Sequence, residues 1–426
     1  MSRMPDCPPA FCGKLYPYPA GRALDIDPPV KDDNGWKCLC PKRFGVFLWP
    51  AVPGVLMSRA AIFEASVRYF LEPIAPLLED ESITEIMVNG HNDVYIERRG
   101  RLEHTGVRFL SEDALLSAIH NVAQWVGREI TEERPMLDAR LPDGSRVHAV
   151  IPPAARGGTY LTIRKFSREA LTLEDFVRFN SLSEIAREFL EICVRLRKNI
   201  LISGGTGTGK TALLGALSHA IPEQERIVVI EDTSELRLIQ SHCLYLEARH
   251  ADAAGRGAIN LRQLFVNSLR MRPDRIIVGE VRGGEALDMI QSMISGHSGS
   301  LSTIHAETAR DSLLRLETLS LMSDVEIPVY VARAQVASAI HLVVQIARFT
   351  EDGSRKVTRI TEARGLDSGT QYVLADLFVS RLRGKTPDGM LIADLAPTGE
   401  KASFAKAPYE QGMGRMVRLS EACWTK

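Results

Sequence analysis

The chain has 426 residues, of which 25% are charged and 45% hydrophobic, and its formal net charge is −1. These proportions are typical of a globular protein and exclude a disordered polyelectrolyte or a strongly basic nucleic-acid binder. A chain of this length exceeds one hydrophobic core, so we expect two or three domains. Its seven cysteines are scattered and no apolar run approaches the roughly 18 residues of a membrane span. We therefore expect a protein of the reducing cytoplasm.

Residues 1–56 differ in composition from the rest of the chain. They hold 10 of the 22 prolines and four of the seven cysteines, without helical or strand periodicity. Such a composition is typical of a poorly structured extension. Because Met57 begins a plausible helical segment, we expect that translation naturally starts there and that the extension is an artefact of start-site choice.

Residues 57–170 have the pattern of a small α+β domain. Alternating apolar residues predict paired strands joined by a turn at Asn89-Gly90, and helical spacing returns between residues 111 and 126. Two further short strands are expected near 146–151 and 159–164. Residues 171–198 then read as a linker and a leading helix.

Residues 199–380 predict a second domain in which strands alternate with helices. Near-continuous apolar strands between amphipathic helices imply an α/β fold with a mostly parallel sheet covered on both faces. The pattern fades further along the chain, so we expect residues 381–426 to form an irregular C-terminal tail.

The stretch SGGTGTGKT follows the first apolar strand of this second domain and precedes a helix, which is the context of a phosphate-binding loop. Loop N–H groups and the helix N-terminus would bind the β-phosphate. Lys210 would bridge the β- and γ-phosphates and the Thr211 hydroxyl would coordinate Mg²⁺, so ATP and Mg²⁺ are the expected ligands. The nucleotide-binding residues are predicted to be Gly204, Gly205, Thr206, Gly207, Thr208, Gly209, Lys210 and Thr211.

Acidic residues follow two other apolar strands. Glu231, Asp232 and Glu235 come after the first, and Glu280 comes after the second. Carboxylates at the C-terminal edge of a parallel sheet can reach a bound ligand. Because Gly279 precedes Glu280 where many phosphate-loop proteins have an aspartate, metal ligation must be indirect or fall to Glu280. Thr211, Glu280, Glu231 and Asp232 are the candidate metal ligands.

Two histidines, His297 and His305, flank a later strand in the stretch GHSGSLSTIHA. One histidine in a strand is usually a satisfied core or surface residue. A pair that follows the nucleotide-binding strands favours sensors of the γ-phosphate or a subunit contact.

Taken together, GGTGTGKT, IEDTSEL, RMRPDRIIVGEVRGGEALDMIQ and GHSGSLSTIHA resemble the type II/type IV secretion ATPase superfamily. MLDARLPDGSRVHAVIPP and LTIRKF in the N-terminal half look like segments of its CpaF-like branch, the motors of tight-adherence (Tad/Flp) pili. Residues 171–380 include only Cys193 and Cys243, whereas the extension-type pilus and type II secretion members resemble one another in a four-cysteine zinc insertion. This difference excludes the zinc-bearing branch and favours the tight-adherence or conjugation-type branch.

The resemblance implies a RecA-like P-loop motor domain, a smaller N-terminal domain, and a homo-hexameric cytoplasmic ATPase that powers assembly of a pilus or secretion machine. The partner would be an inner-membrane platform protein, with peripheral contact to the inner membrane face and no nucleic acid. It further implies that Glu235 is the general base, that Glu280 holds the Mg²⁺ shell, and that a histidine reports hydrolysis. The roles of Glu235 and Glu280 could be exchanged.

Phosphoryl transfer also needs positive charge on the γ-phosphate, commonly from an arginine of another domain or subunit. Arg140, Arg146 and Arg164 are the candidates, because they lie in the N-terminal segments that match the family. A surface salt bridge is the alternative role for each.

Other functions share parts of this pattern. A conjugation-type secretion ATPase shares nearly every motif. A RecA-like DNA-dependent ATPase shares the sheet and the phosphate loop, but should carry a basic groove with stacking aromatics, whereas aromatics make up 6% here. A small-molecule kinase would need a lid over its acceptor substrate and has no obvious use for the acidic and histidine segments.

Overall fold

The computed structural model describes residues 31–32, 35–36, 66, 69–98, 100–141, 143–166, 170–249, 251, 255–368, 371–387 and 389–425. The chain divides into two compact units, residues 1–56 and 57–426. In the first unit the described residues form two short antiparallel strands, β1 (Lys31–Asp32) and β2 (Gly35–Trp36). The expectation of an unstructured extension otherwise falls outside the described residues.

The second unit begins with a six-stranded antiparallel sheet, here called the N-terminal sheet. Its strand order is β5-β4-β3-β8-β7-β6. Helix α1 (Ala75–Glu79) precedes it and helix α2 (Glu112–Trp125), which packs on the same apolar core, lies between β5 and β6. The strands are β3 (Ile83–Asn89), β4 (Val94–Arg98), β5 (Arg101–His104), β6 (Met136–Arg140), β7 (Arg146–Val150) and β8 (Tyr160–Arg164).

The segment predicted to be a linker contains a short helix, α3 (Leu173–Arg178). Thr172 caps it, because the Thr172 hydroxyl accepts from the backbone of Asp175 while the Asp175 carboxylate accepts from the backbone of Thr172. Helix α4 (Glu184–Arg195) follows and is buried along one side. The segment is therefore part of the packed core rather than an open connection.

The second sheet, here called the large sheet, has nine strands in the order β11-β10-β12-β13-β9-β14-β15-β16-β17. Every neighbouring pair from β11 to β14 is parallel, and β14 to β17 are antiparallel. The strands are β9 (Ile200–Ser203), β10 (Ile227–Glu231), β11 (Cys243–Glu247), β12 (Arg275–Val278), β13 (Leu301–Ile304), β14 (Leu342–Arg348), β15 (Arg355–Asp367), β16 (Gln371–Lys385) and β17 (Leu391–Pro397).

Helices cover both faces of the parallel part of the large sheet, as the apolar strands require. Strands β9, β10, β12 and β13 are buried at every position, and separate apolar clusters form on the two faces. The helices are α5 (Lys210–Ser218), α6 (Leu261–Ser268), α7 (Glu285–Ile294), α8 (Ala309–Leu321) and α9 (Val329–Ala339). This is the α/β architecture that the sequence predicts, with β9 in the interior of the sheet.

The C-terminal residues differ from the expected irregular tail. Strand β17 lies within them, and the short helix α10 (Ala407–Glu410) leads to a buried end of the chain. Trp424 is 2% exposed and stacks on Phe189 of α4 with ring centroids 4.9 Å apart. The tail packs through long-range contacts of single residues, which leave no periodic pattern in the sequence.

Candidate nucleotide site

The loop Gly204–Gly209 joins the buried strand β9 to helix α5. Helix α5 begins after Gly209 and no side chain caps its N-terminus, so its first N–H groups are available to a ligand. The ammonium of Lys210 donates to the Gly205 carbonyl at 2.8 Å, and burial lowers the pKa of Lys210. The order of strand, loop and helix is the one that the sequence predicts, and phosphate binding by the loop stays a prediction.

His305 joins the lysine to an acidic residue at the edge of the sheet. Its Nδ1 lies 3.3 Å from the Lys210 ammonium, which can only donate, and its Nε2 lies 2.7 Å from Oε1 of Glu280. The second contact is close but out of line for a regular hydrogen bond. Burial and the nearby Lys210 lower the pKa of His305, which favours the neutral ring that this arrangement requires.

Glu280 and Asp232 are held together by Arg282. The guanidinium donates to Oε2 of Glu280 at 2.6 Å and to Oδ2 of Asp232 at 3.0 Å. The hydrogen bond to Glu280 is the main cause of the raised pKa of Arg282. The end of β12 is thereby connected to the end of β10.

Glu231 faces the interior of the sheet and is 3% exposed. Its Oε1 accepts from the backbone N–H groups of Glu235 and Leu236 at 2.9 and 3.0 Å, and burial raises the pKa of Glu231 to about 7. A Cβ at Gly279 would lie 2.9 Å from Cγ of Glu231, so a larger residue there would displace the carboxylate. Glu231 therefore fixes the turn that carries Glu235, and its role as a metal ligand stays a prediction.

Glu235 and Thr211 line the same cleft, which lies within the second unit between the N-terminal sheet and the large sheet and has a volume of about 230 Å³. It is here called the interdomain cleft. Arg164, at the end of β8, lines it from the N-terminal sheet and approaches the Glu235 carboxylate at 3.9 Å. Arg146 also lines the cleft, and it pairs with Asp138 at 3.6 Å. An arginine and an acid from different sheets thus face the start of the phosphate-binding helix.

Arg140 does not itself line the interdomain cleft, although it bonds two residues that do. It donates to the Gly144 and Ser234 carbonyls at 3.2 and 3.1 Å and to Glu247 at 3.3 Å. These contacts place it beside a second cavity of about 310 Å³, which Asp232 also lines. Asp232, predicted as a metal ligand together with Thr211, thus lines the second cavity, whereas Thr211 lines the first.

His297 is at the opposite edge of the large sheet from the phosphate-binding loop. It precedes β13, whereas His305 follows that strand. The nearby Gly299 N–H donates a hydrogen bond to the side chain of Asn199, the residue that precedes β9. A four-residue strand spans about 13 Å, so the two histidines cannot act on one phosphate. Of the pair that the sequence predicts, His305 alone lies near Lys210.

Two arginines near the loop, Arg348 and Arg355, belong to no sequence motif. Arg355 donates through Nε to the Gly207 carbonyl at 2.8 Å, and Arg348 extends beside the same glycine. Both pair with Glu97 of the N-terminal sheet. Glu97 is 258 positions from Arg355 in the sequence, so no spacing in the chain could have revealed the contact.

The donor set fits a magnesium ion carried by a nucleotide. Among the residues that the structure describes, no group of three or more His, Cys, Asp or Glu side chains could hold a metal. Mg²⁺ retains waters and uses few protein ligands besides phosphate oxygens. The Thr211 hydroxyl, beside the uncapped start of α5, is the protein group that would ligate such an ion.

The strand, loop and helix within a mostly parallel sheet define a RecA-like P-loop fold. The Type II/IV secretion system protein family matches residues 70–374, and this chain belongs to that family. It is 38% identical to the type IV secretion system protein PtlH of Bordetella pertussis, over 69% of this chain and 94% of that protein. It is 34% identical to VirB11 of Brucella suis, over 68% of this chain and 88% of that protein.

A crystal structure of the VirB11 ATPase of the Brucella suis type IV secretion system, in complex with sulphate, is also similar. The two chains are 33% identical, the match covers 71% of this chain and 95% of that one, and the TM-score is 0.37. In the part of this chain that the structure describes, no helix is both long and apolar enough to cross a membrane.

Proposed function

We propose that this protein is an ATPase that binds Mg²⁺–ATP in the interdomain cleft and couples hydrolysis to the work of a type IV secretion machine. The observation that carries the proposal is the Gly204–Gly209 loop with a buried Lys210, next to a cleft that Thr211, Glu235 and Arg164 line together. Family membership and the secretion-system relatives support the assignment.

Thr211 would ligate the magnesium ion of the bound nucleotide, and the ion would neutralise charge on the phosphates. Glu235 is proposed as the general base, because within the described residues its carboxylate contacts one charged group, Arg164, at 3.9 Å. Glu280 is already engaged by Arg282 and His305. We therefore propose that Glu280 orients the histidine and lysine and that Glu235 accepts the proton of the attacking water.

Arg164 is proposed to stabilise the transition state. It projects from the N-terminal sheet into the cleft beside the start of α5. A small movement toward the phosphates would therefore replace its contact with Glu235 by a contact with the γ-phosphate. Positive charge placed on the transferring group is the main electrostatic requirement of the reaction. Arg146 lines the same cleft and is the second candidate.

The choice of machine follows from the relatives. PtlH and VirB11 are both named as type IV secretion system proteins, which favours the conjugation-type branch. The segments MLDARLPDGSRVHAVIPP and LTIRKF support the tight-adherence pilus as the second candidate. In either case we propose a homo-hexamer at the cytoplasmic face of the inner membrane, bound to a membrane platform protein. Capture of a type IV secretion component or a pilus platform protein on the purified chain, under native conditions, distinguishes the two.

The test is ATP turnover by the full chain across a protein-concentration series, with light scattering on the same samples. Turnover should rise as oligomers form, without added DNA. Lys210→Ala should lose turnover, whereas Lys385→Ala, a matched change on the exposed β16, should keep it. Turnover by a monomer at all concentrations, or turnover that requires DNA, would exclude the proposed motor.

A further inference from the structure

A buried carboxylate lies between the N-terminal sheet and the phosphate-binding loop. Glu97, on β4, is 8% exposed and faces two guanidinium groups. Its Oε1 lies 3.0 Å from Arg355 and 3.5 Å from Arg348. A buried charge is stable only where contacts with its partners compensate the free energy of desolvation, so these arginines hold Glu97 in place.

The same arginines are the last residue of β14 and the first residue of β15, on either side of the turn that joins these strands. Nε of Arg355 donates to the Gly207 carbonyl at 2.8 Å, while another nitrogen of the same guanidinium donates to Glu97. Arg348 donates to the backbone carbonyl of Gly100 in the turn after β4. One planar guanidinium therefore connects the N-terminal sheet directly to the loop.

The backbones of the two turns are also in close contact. A Cβ at Gly100 would lie 2.9 Å from the Gly353 carbonyl, and Gly100 has a φ of +78°. Backbone this close leaves little freedom for the turns to slide, which fixes the distance between Glu97 and the arginines.

We propose that Arg355 is a positioning residue of the nucleotide site and that Glu97 acts through it. By holding the Gly207 carbonyl away from the ligand, Arg355 keeps the neighbouring loop N–H groups directed at the phosphates. Glu97 keeps the guanidinium in that orientation. The inference rests on the proposed function, and it makes the N-terminal sheet a determinant of nucleotide affinity as well as a source of the arginine in the cleft.

The expected effect is on binding more than on the chemical step. A loop that no longer presents its N–H groups loses contacts to ground state and transition state alike, which raises KM and leaves kcat nearly unchanged. One charge-assisted hydrogen bond corresponds to about a tenfold change in affinity.

The test is the Kd for a fluorescent ADP analogue, together with kcat and KM for ATP, on the full chain. The variants are Glu97→Gln, Arg355→Gln, the double variant, and Arg355→Lys. Arg359→Gln is the matched control, because Arg359 is on the same strand and pairs with Asp376 on the exposed side. Glu97→Gln and Arg355→Gln should each raise Kd about tenfold with kcat within about threefold, and Arg359→Gln should leave both unchanged. The double variant should resemble Arg355→Gln, and Arg355→Lys should recover part of the affinity.

An unchanged Kd in Arg355→Gln, or effects of Glu97 and Arg355 that simply add, would overturn the inference while leaving the proposed function intact. Failure of the wild-type chain to bind any nucleotide would overturn both. Should Arg355→Gln not fold, Arg355→Lys and Glu97→Gln carry the test, because each keeps one side of the connection. A lower melting temperature without a change in Kd would assign the three residues to stability alone and would refute the positioning role.

Discussion

Replacing Glu231 by glutamine should change how the stability of the protein depends on pH. The carboxyl is buried against Gly279, and burial raises its pKa from 4.5 to about 7. Because the folded-state pKa is above the unfolded one, the stabilising contribution is complete below pH 4.5 and is lost as the pH rises through 7. At about 1.4 kcal/mol per pKa unit, roughly 3 kcal/mol of unfolding free energy disappears across that interval.

The amide of Glu231→Gln can still accept the two backbone hydrogen bonds but has no proton to lose in this range. The difference in unfolding free energy, variant minus wild type, should therefore rise by about 3 kcal/mol between pH 4.5 and 8. Urea unfolding followed by far-ultraviolet circular dichroism at several pH values measures it. Glu129→Gln, an exposed carboxylate, is the control and should leave the profile parallel to wild type. A parallel profile for Glu231→Gln as well would refute the reasoning.

Three further predictions concern other contacts. Glu188 accepts hydrogen bonds from three consecutive backbone N–H groups of the C-terminal tail. Glu188→Ala should therefore lower the free energy of unfolding by about 3 kcal/mol and make the tail sensitive to limited proteolysis, and an uncut tail would contradict this. His305→Ala should lower kcat roughly 10-fold or more, whereas His297→Ala should leave it within about twofold, as steady-state assays would show. Arg164→Ala should lower kcat by about 10²–10³ with a smaller change in nucleotide binding, while Arg140→Ala should keep most of the turnover; the reverse order would exchange their roles.

The sequence predicts the larger part of the fold because its information is local. Apolar strands, side-chain caps and the loop before Lys210 are each decided within a few neighbouring residues. The acidic ends of β10 and β12 could be identified for the same reason, because the acids directly follow apolar runs in the sequence. For the C-terminal residues there is no such pattern, because Trp424 is buried by a helix more than 200 positions earlier in the chain.

The nucleotide site was predicted less completely than the fold. His297 and His305 lie at opposite ends of β13, so within one chain only His305 is near the phosphate-binding loop, and a subunit contact through His297 stays a prediction. Glu231 has the residue type and position of a metal ligand, but its side chain turns toward the space that Gly279 leaves. Arg355 contacts the loop only after β14 and β15 have paired, which no local pattern encodes.

The interior position of β9 also has a consequence for synthesis. Its two hydrogen-bonded neighbours, β13 and β14, are encoded later, and β14 ends about 140 residues after β9. At about 5–20 residues per second, a ribosome needs roughly 7–30 seconds to make that stretch. The N-terminal sheet, complete by Arg164, can fold during this interval, whereas the strand that carries the phosphate-binding loop waits as an apolar segment without partners. Nascent chains of this protein should therefore depend on chaperones most between the emergence of β9 and that of β14.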